Sequence, residues 1–154
     1  VVTASSHQKG YEAEKVINGV ARDEGTATNS WRSCGLRPEG EELCLKLKEA
    51  ACVSQVRITL DPNLSEERCI SVSKAFLEKE PIGVARELVR DFTVQLRYQG
   101  NCVWSKKISG NYQRLRVINV SRRTLADEVC VCVTATNGCP EARVFEVRIY
   151  SAND

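Results

Sequence analysis

Apolar and polar residues alternate with a period of two over much of the chain. Leu43, Leu45 and Leu47 alternate with Cys44, Lys46 and Lys48. Val56, Ile58 and Leu60 alternate with Arg57 and Thr59, and the run stops at Asp61-Pro62-Asn63. Successive side chains of a strand point to opposite faces, so each run predicts a half-buried strand. A third short strand is expected over 69–72. Residues 73–87 have no period and hold Pro81 and Gly83, which predicts a long surface loop. Phe92, Val94, Leu96 and Tyr98 then alternate with Thr93, Gln95 and Arg97, followed by Gln99-Gly100-Asn101 and Cys102-Val103-Trp104, a hairpin signature. Strands are expected over 114–120, with Leu115 and Val117 on one face, and over 129–135. The last is expected over 144–150, with Phe145, Val147 and Ile149 opposite Glu146 and Arg148. No long helical period appears. Residues 11–17 can supply a turn or two, closed by Asn18-Gly19, and residues 1–9 read as extended and polar. The pattern predicts an all-β sandwich or barrel, with residues 1–154 forming one domain.

Composition narrows the classes. A chain of 154 residues is a normal size for one core. Its 22 basic and 20 acidic residues are mixed along the chain, giving a net charge of +2 and no basic face for nucleic acid. No apolar run is long enough to span a bilayer, so no membrane partner is expected. The absence of any Met reads as a fragment or a domain cut from a larger protein. The eight cysteines include no Cys-x-x-Cys. Cys130 and Cys132 share one strand face and read as small buried hydrophobes. Reduced thiols and an intracellular, reducing compartment such as the cytoplasm are the expectation. With a single histidine, His7, structural zinc is not expected.

The loop after Asn18-Gly19 carries Asp23, Glu24, Thr26, Thr28, Asn29 and Ser30 and ends at Trp31. These oxygens are the kind a hard cation takes. They equally suit a polar surface loop anchored by a core tryptophan. No G-x-S-x-G, phosphate loop or dinucleotide fingerprint is present, and His7 has no evident nucleophile partner, so the chain is not read as an enzyme. Cys34, beside Arg32, is the thiol to watch, since nearby cations lower a thiol pKa.

Several pieces, in order, resemble the galactose-binding-like β-sandwich, the discoidin or coagulation factor 5/8 type C family, and related carbohydrate-binding modules. They are Thr3-Ala4-Ser5-Ser6, residues 13–19 with Trp31, Leu43-Cys44-Leu45-Lys46-Leu47, residues 53–58, and Phe145-Glu146-Val147-Arg148-Ile149-Tyr150. A narrower resemblance, carried by residues 86–92, 110–114, 135–138 and 141–146, is to a C-terminal module of bacterial FAD-dependent oxidoreductases. The family resemblance implies a jelly-roll fold and one structural calcium ion. Its ligands would be the Lys15 carbonyl, the Asn18 side chain, loop oxygens near Asp23 or Thr26, the Phe145 carbonyl and the Glu146 carboxylate. Asn18 stands where the family usually has Asp, which weakens such a site; in the rival reading Asn18 only makes the turn and Glu146 pairs with an arginine. Sugar-binding relatives stack an aromatic ring on the sugar and orient it with planar donors. Candidates for that role are Arg32, Arg37, Asn63, Arg68, Asn111, Tyr112 and Asn137. Two jobs follow for a non-catalytic, ancillary module. One is docking onto the catalytic domain of the same parent chain, flavin-dependent by resemblance, and is the first expectation. The alternative is carbohydrate binding through loops at one end of the sandwich, which an exposed aromatic flanked by Arg and Asn would favour.

Overall fold

The structure, a computed structural model, describes residues 1–64 and 83–151. Among the described residues are seven strands: β1 (Val2–Ala4), β2 (Trp31–Arg32), β3 (Glu41–Leu60), β4 (Val89–Tyr98), β5 (Asn101–Ile108), β6 (Leu115–Thr136) and β7 (Arg143–Ser151). One 3-10 turn, Ala13–Ile17, precedes β2. All pairings are antiparallel.

Two of the strands are much longer than the sequence runs that announce them. β3 has 20 residues and β6 has 22. Each joins two of the expected strands, and register shifts at Lys46/Ala51 and Val53/Gln55 mark where their ladder bends. Extra residues at such shifts bend a strand and raise its twist. The first half of β3 pairs with β1 and with the second half of β6, which continues to β4 and β5. The second half of β3 pairs with the first half of β6 and with β7, which holds β2. Two layers result. Leu43, Leu45, Phe92, Val94, Leu96, Val129, Val131 and Val133 from one meet Val56, Ile58, Leu60, Ile118, Val144 and Val147 from the other in one apolar cluster. Trp31 is fully buried there and donates its indole N–H to the Ser6 carbonyl at 2.9 Å.

The β4–β5 hairpin closes on Gln99 and Gly100, both at positive φ (51° and 79°), the pairing that a tight hairpin turn requires. Other expectations need correction. Residues 2–4, read as extended and polar, form β1, because Val2 turns into the core opposite Leu45. Leu115 and Val117 do share a face, but it is the outer one, and they are 51% and 46% exposed. Ile118 and Val120 fill the core instead. Near its start β7 buries four consecutive residues, Val144 to Val147, since a register shift opposite Thr59 and Leu60 breaks the alternation. The strand expected over 69–72 and most of the loop expected over 73–87 lie outside the described residues.

The expectation of reduced thiols fails at one pair. Cys44 and Cys130 stand directly opposite each other in the β3–β6 register, with Cα atoms 4.1 Å apart, and form a disulfide. Their sequence separation of 86 hides that proximity from any reading of spacing. Cys132 lies on the same face of β6 as Cys130 and stays a free, half-buried thiol. Burial pushes its pKa up, away from reactivity.

Candidate functional site

The loops converge at one end of the sandwich. Backbone bonds stitch them together: Gln8 N–H to Arg32 O, Ser33 N–H to Ala142 O, Leu60 N–H to Arg114 O, Asn111 N–H to Arg90 O and Asn137 N–H to Leu88 O. This end therefore carries Arg32, Arg37, Asn63, Asn111, Tyr112 and Asn137 together. Arg68 lies outside the described residues.

Asn111 is buried, Arg32 and Asn137 are half-buried, and Arg37 is exposed although it is bonded to Glu41. The Arg32 guanidinium donates to Asp23 at 3.1 Å and Asp61 at 3.4 Å, its Nε reaches Ser30 Oγ, and its Cζ lies 4.0 Å from the centre of the Tyr11 ring. Asp61 is 1% exposed. Burial raises its pKa, while the Asn63 N–H and the charges of Arg32 and Arg143 pull the other way. Arg37 bonds Glu41 at 2.6 Å. Burial raises the Glu41 pKa, but bonds from Ser5, Ser6 and Arg37 outweigh it and hold the carboxylate ionised. Asn111 is buried, and its amide donates to Val89 O and Gln113 O. The Asn137 amide donates to Leu88 O at 3.0 Å and Asn111 O at 3.4 Å. These four residues build the loop end; their donors are engaged in holding it.

Tyr112 differs. Its ring is 68% exposed, on a turn with Gly110 at φ 65°. The turn is rigid below the ring: Asp91 accepts the Gly110 N–H at 2.8 Å, and buried Asn111 pins the next residue. That N–H bond is the main reason the Asp91 pKa is lowered, with Arg90 adding to it. Exposed Arg90 and Arg86 stand on the adjoining segment, Arg86 reaching Gly138 O at 3.3 Å. Asn63, at φ 59°, approaches Glu87 at 3.5 Å. An open ring is thus set on a fixed turn, with planar guanidinium donors on the segment bonded to it. Arg86 and Arg90 were missed as ligand candidates. Their placement follows from the Asn111–Arg90 and Cys139–Arg86 backbone bonds, which no local pattern announces. Cys34 is exposed, with its Sγ 3.1 Å from the His7 carbonyl.

No family model matches the chain, and no curated protein matches it. Solved structures do. The lectin domain of lectinolysin, complexed with Lewis B antigen, matches with TM-score 0.71 and 15% identity, over 99% of this chain and 93% of that one. The fold is the galactose-binding-like β-sandwich. The family 32 carbohydrate-binding module of Streptococcus pneumoniae EndoD matches with TM-score 0.70 and 17% identity, over 98% of this chain and 96% of that one. The family 32 module of C. perfringens NanJ, in complex with galactose, gives 0.67 and 16%, over 98% and 93%. At these identities the likeness is one of fold.

Four of the residues that the galactose-binding-like resemblance assigns to calcium, Lys15, Asn18, Asp23 and Glu146, have partners within the chain. Lys15 O accepts the Asn18 N–H, and Asn18 Oδ1 accepts the Val20 N–H at 2.8 Å. Asp23 accepts from Asn29 N–H and Arg32. Thr26 is exposed. Buried Phe145 lies 6.0 Å beneath the Arg114 guanidinium, and Glu146 pairs with Arg148 at 2.7 Å. Glu146 lies in a groove with Arg57 and Tyr150, whereas residues 19–22 and Glu24 line a separate cleft with Arg114. Among the described residues, the acidic and thiol groups close enough to share a metal ion are Glu42, Cys44 and Cys130, whose sulfurs form the disulfide.

Proposed function

We propose that this chain is a non-catalytic carbohydrate-binding module that takes a sugar at the loop end, on the face presented by Tyr112. The observation that carries the reading is the exposed Tyr112 ring on a turn fixed by Asp91 and Asn111. An aromatic face supplies contact area to the C–H face of a pyranose, and guanidinium and amide donors fix its hydroxyls. In this reading exposed Arg86 and the Asn63 amide would supply such donors, and Arg90 would do so on exchanging its 3.0 Å pair with Asp91. Structures of the same fold in complex with Lewis B antigen and with galactose add support.

Docking onto a catalytic domain of the parent chain, flavin-dependent by the sequence resemblance, is the second reading. It rests on the outward Leu115 and Val117 of β6. They share their sheet face with Arg57 and Arg148, so the apolar patch is narrow. A glycan-array screen of the folded protein separates the two. Binding to a defined set of glycans, lost in Tyr112→Ala, supports the sugar reading; a blank array from folded protein contradicts it and leaves docking.

A further inference from the structure

The 18–30 loop, where the resemblance implies a calcium ion, is full of the chain's own cations. The Lys15 ammonium donates to the Thr28 carbonyl at 2.6 Å and to Thr28 Oγ1 at 2.7 Å, and lies 3.9 Å from Glu12. Its side chain is only 24% exposed. The Thr28 hydroxyl donates in turn to the Gly10 carbonyl, so the lysine orders both the loop and the approach to the 3-10 turn. Arg114 donates to the Ala21 carbonyl from the far side of the loop. Arg32 takes the Asp23 carboxylate. Calcium needs six to eight oxygens, charged ones among them. Here Asn18 offers no charge, Asp23 is paired with Arg32, Glu24 with Arg22 and Glu146 with Arg148, and an ammonium sits on the Thr28 oxygens.

We propose that Lys15, with Arg114 and Arg32, does the work of the metal ion, so that the loop is closed by built-in cations and the fold is independent of calcium. A lone ammonium has three donors and one charge, which suits a nest of neutral oxygens beside one partly exposed glutamate. A dication placed next to it would meet like charge at short range without enough carboxylate to offset it. The inference does not depend on whether a sugar binds.

Thermal unfolding of the metal-stripped protein, titrated with calcium chloride, tests this. The midpoint is expected to stay constant from excess chelator to millimolar calcium. A site filled at a hundredfold over its Kd would raise the midpoint by about 5–10 °C, and such a rise overturns the proposal. Lys15→Met, which keeps the stem and removes the charge, is expected to lower the midpoint by about 3–10 °C, with no recovery in calcium. A Lys15→Met protein as stable as the parent would also overturn it. Should Lys15→Met fail to fold, Lys15→Arg keeps the positive charge and is expected to fold without calcium; a calcium requirement in that variant contradicts the proposal.

Discussion

Tyr11 and Tyr112 stand at the same end of the sandwich, and the fold exposes them very differently. Tyr11 is half-buried under the Arg32 guanidinium, whose donors are taken by Asp23, Asp61 and Ser30. Tyr112 stands in solvent on a turn held by the Gly110–Asp91, Asn111–Val89 and Gln113–Asn111 bonds. The residue types alone do not separate a brace from a binding face. What separates them is whether a cation of the fold covers the ring: Arg32 lies over Tyr11, whereas Arg90 pairs with Asp91 and Tyr112 stays 68% exposed.

The largest effect is expected on the closed side. Arg32→Ala leaves buried Asp61 and Asp23 without their cation, and removing one partner of a buried pair costs about 3–5 kcal/mol. Urea unfolding should show that loss, and Arg32→Lys should recover only part of it, because an ammonium cannot stack on Tyr11 while reaching two carboxylates. A change below about 0.5 kcal/mol would dissolve the contrast.

On the open side the pattern inverts. Tyr112→Ala should leave stability within about 0.5 kcal/mol, as expected of an exposed position. It should weaken sugar binding about tenfold, the worth of one ring contact. Arg86→Ala should also weaken binding, by a smaller factor, with the unfolding midpoint little changed. Loss of fold in Tyr112→Ala would make the ring a brace like Tyr11.

The smallest effect is in pH. The folded Asp91 pKa lies below the ordinary 3.8, chiefly because the Gly110 N–H bonds its carboxylate. The folded protein therefore binds fewer protons there than the unfolded chain. The stabilisation is present above about pH 4 and is lost as pH falls through the folded value. Urea midpoints measured from neutrality down to about pH 3 should fall less steeply in Asp91→Asn than in the parent. An unchanged slope would free the Tyr112 turn from its carboxylate anchor.

Much of the fold is legible in period-two runs, since Leu43, Val56, Phe92 and Val129 each begin an alternation that a half-buried face requires. The joining of those runs into two bent strands is not, because a register shift depends on partners far away in sequence. β2 escapes notice for a related reason: two residues, Trp31 and Arg32, are strand only through their pairing with β7. The loop-end candidates are legible as a set, because turns at one end of a sandwich collect polar residues. Their division into engaged and open side chains is not. Asn111 and Tyr112 are neighbours in sequence, yet one amide is buried against Val89 O and the next ring is open. The Cys44–Cys130 disulfide belongs with these long-range facts.

The most direct test of the account is the aromatic proton spectrum of the four tyrosines as galactose- and fucose-ended glycans are added. Tyr112 ring signals, assigned by Tyr112→Phe, should shift with saturation, while those of Tyr11 beneath Arg32 and Tyr150 beneath Arg57 stay in place. Binding that moves the other rings and leaves Tyr112 unchanged, or a spectrum indifferent to every glycan, would contradict the assignment of the Tyr112 face as the sugar site.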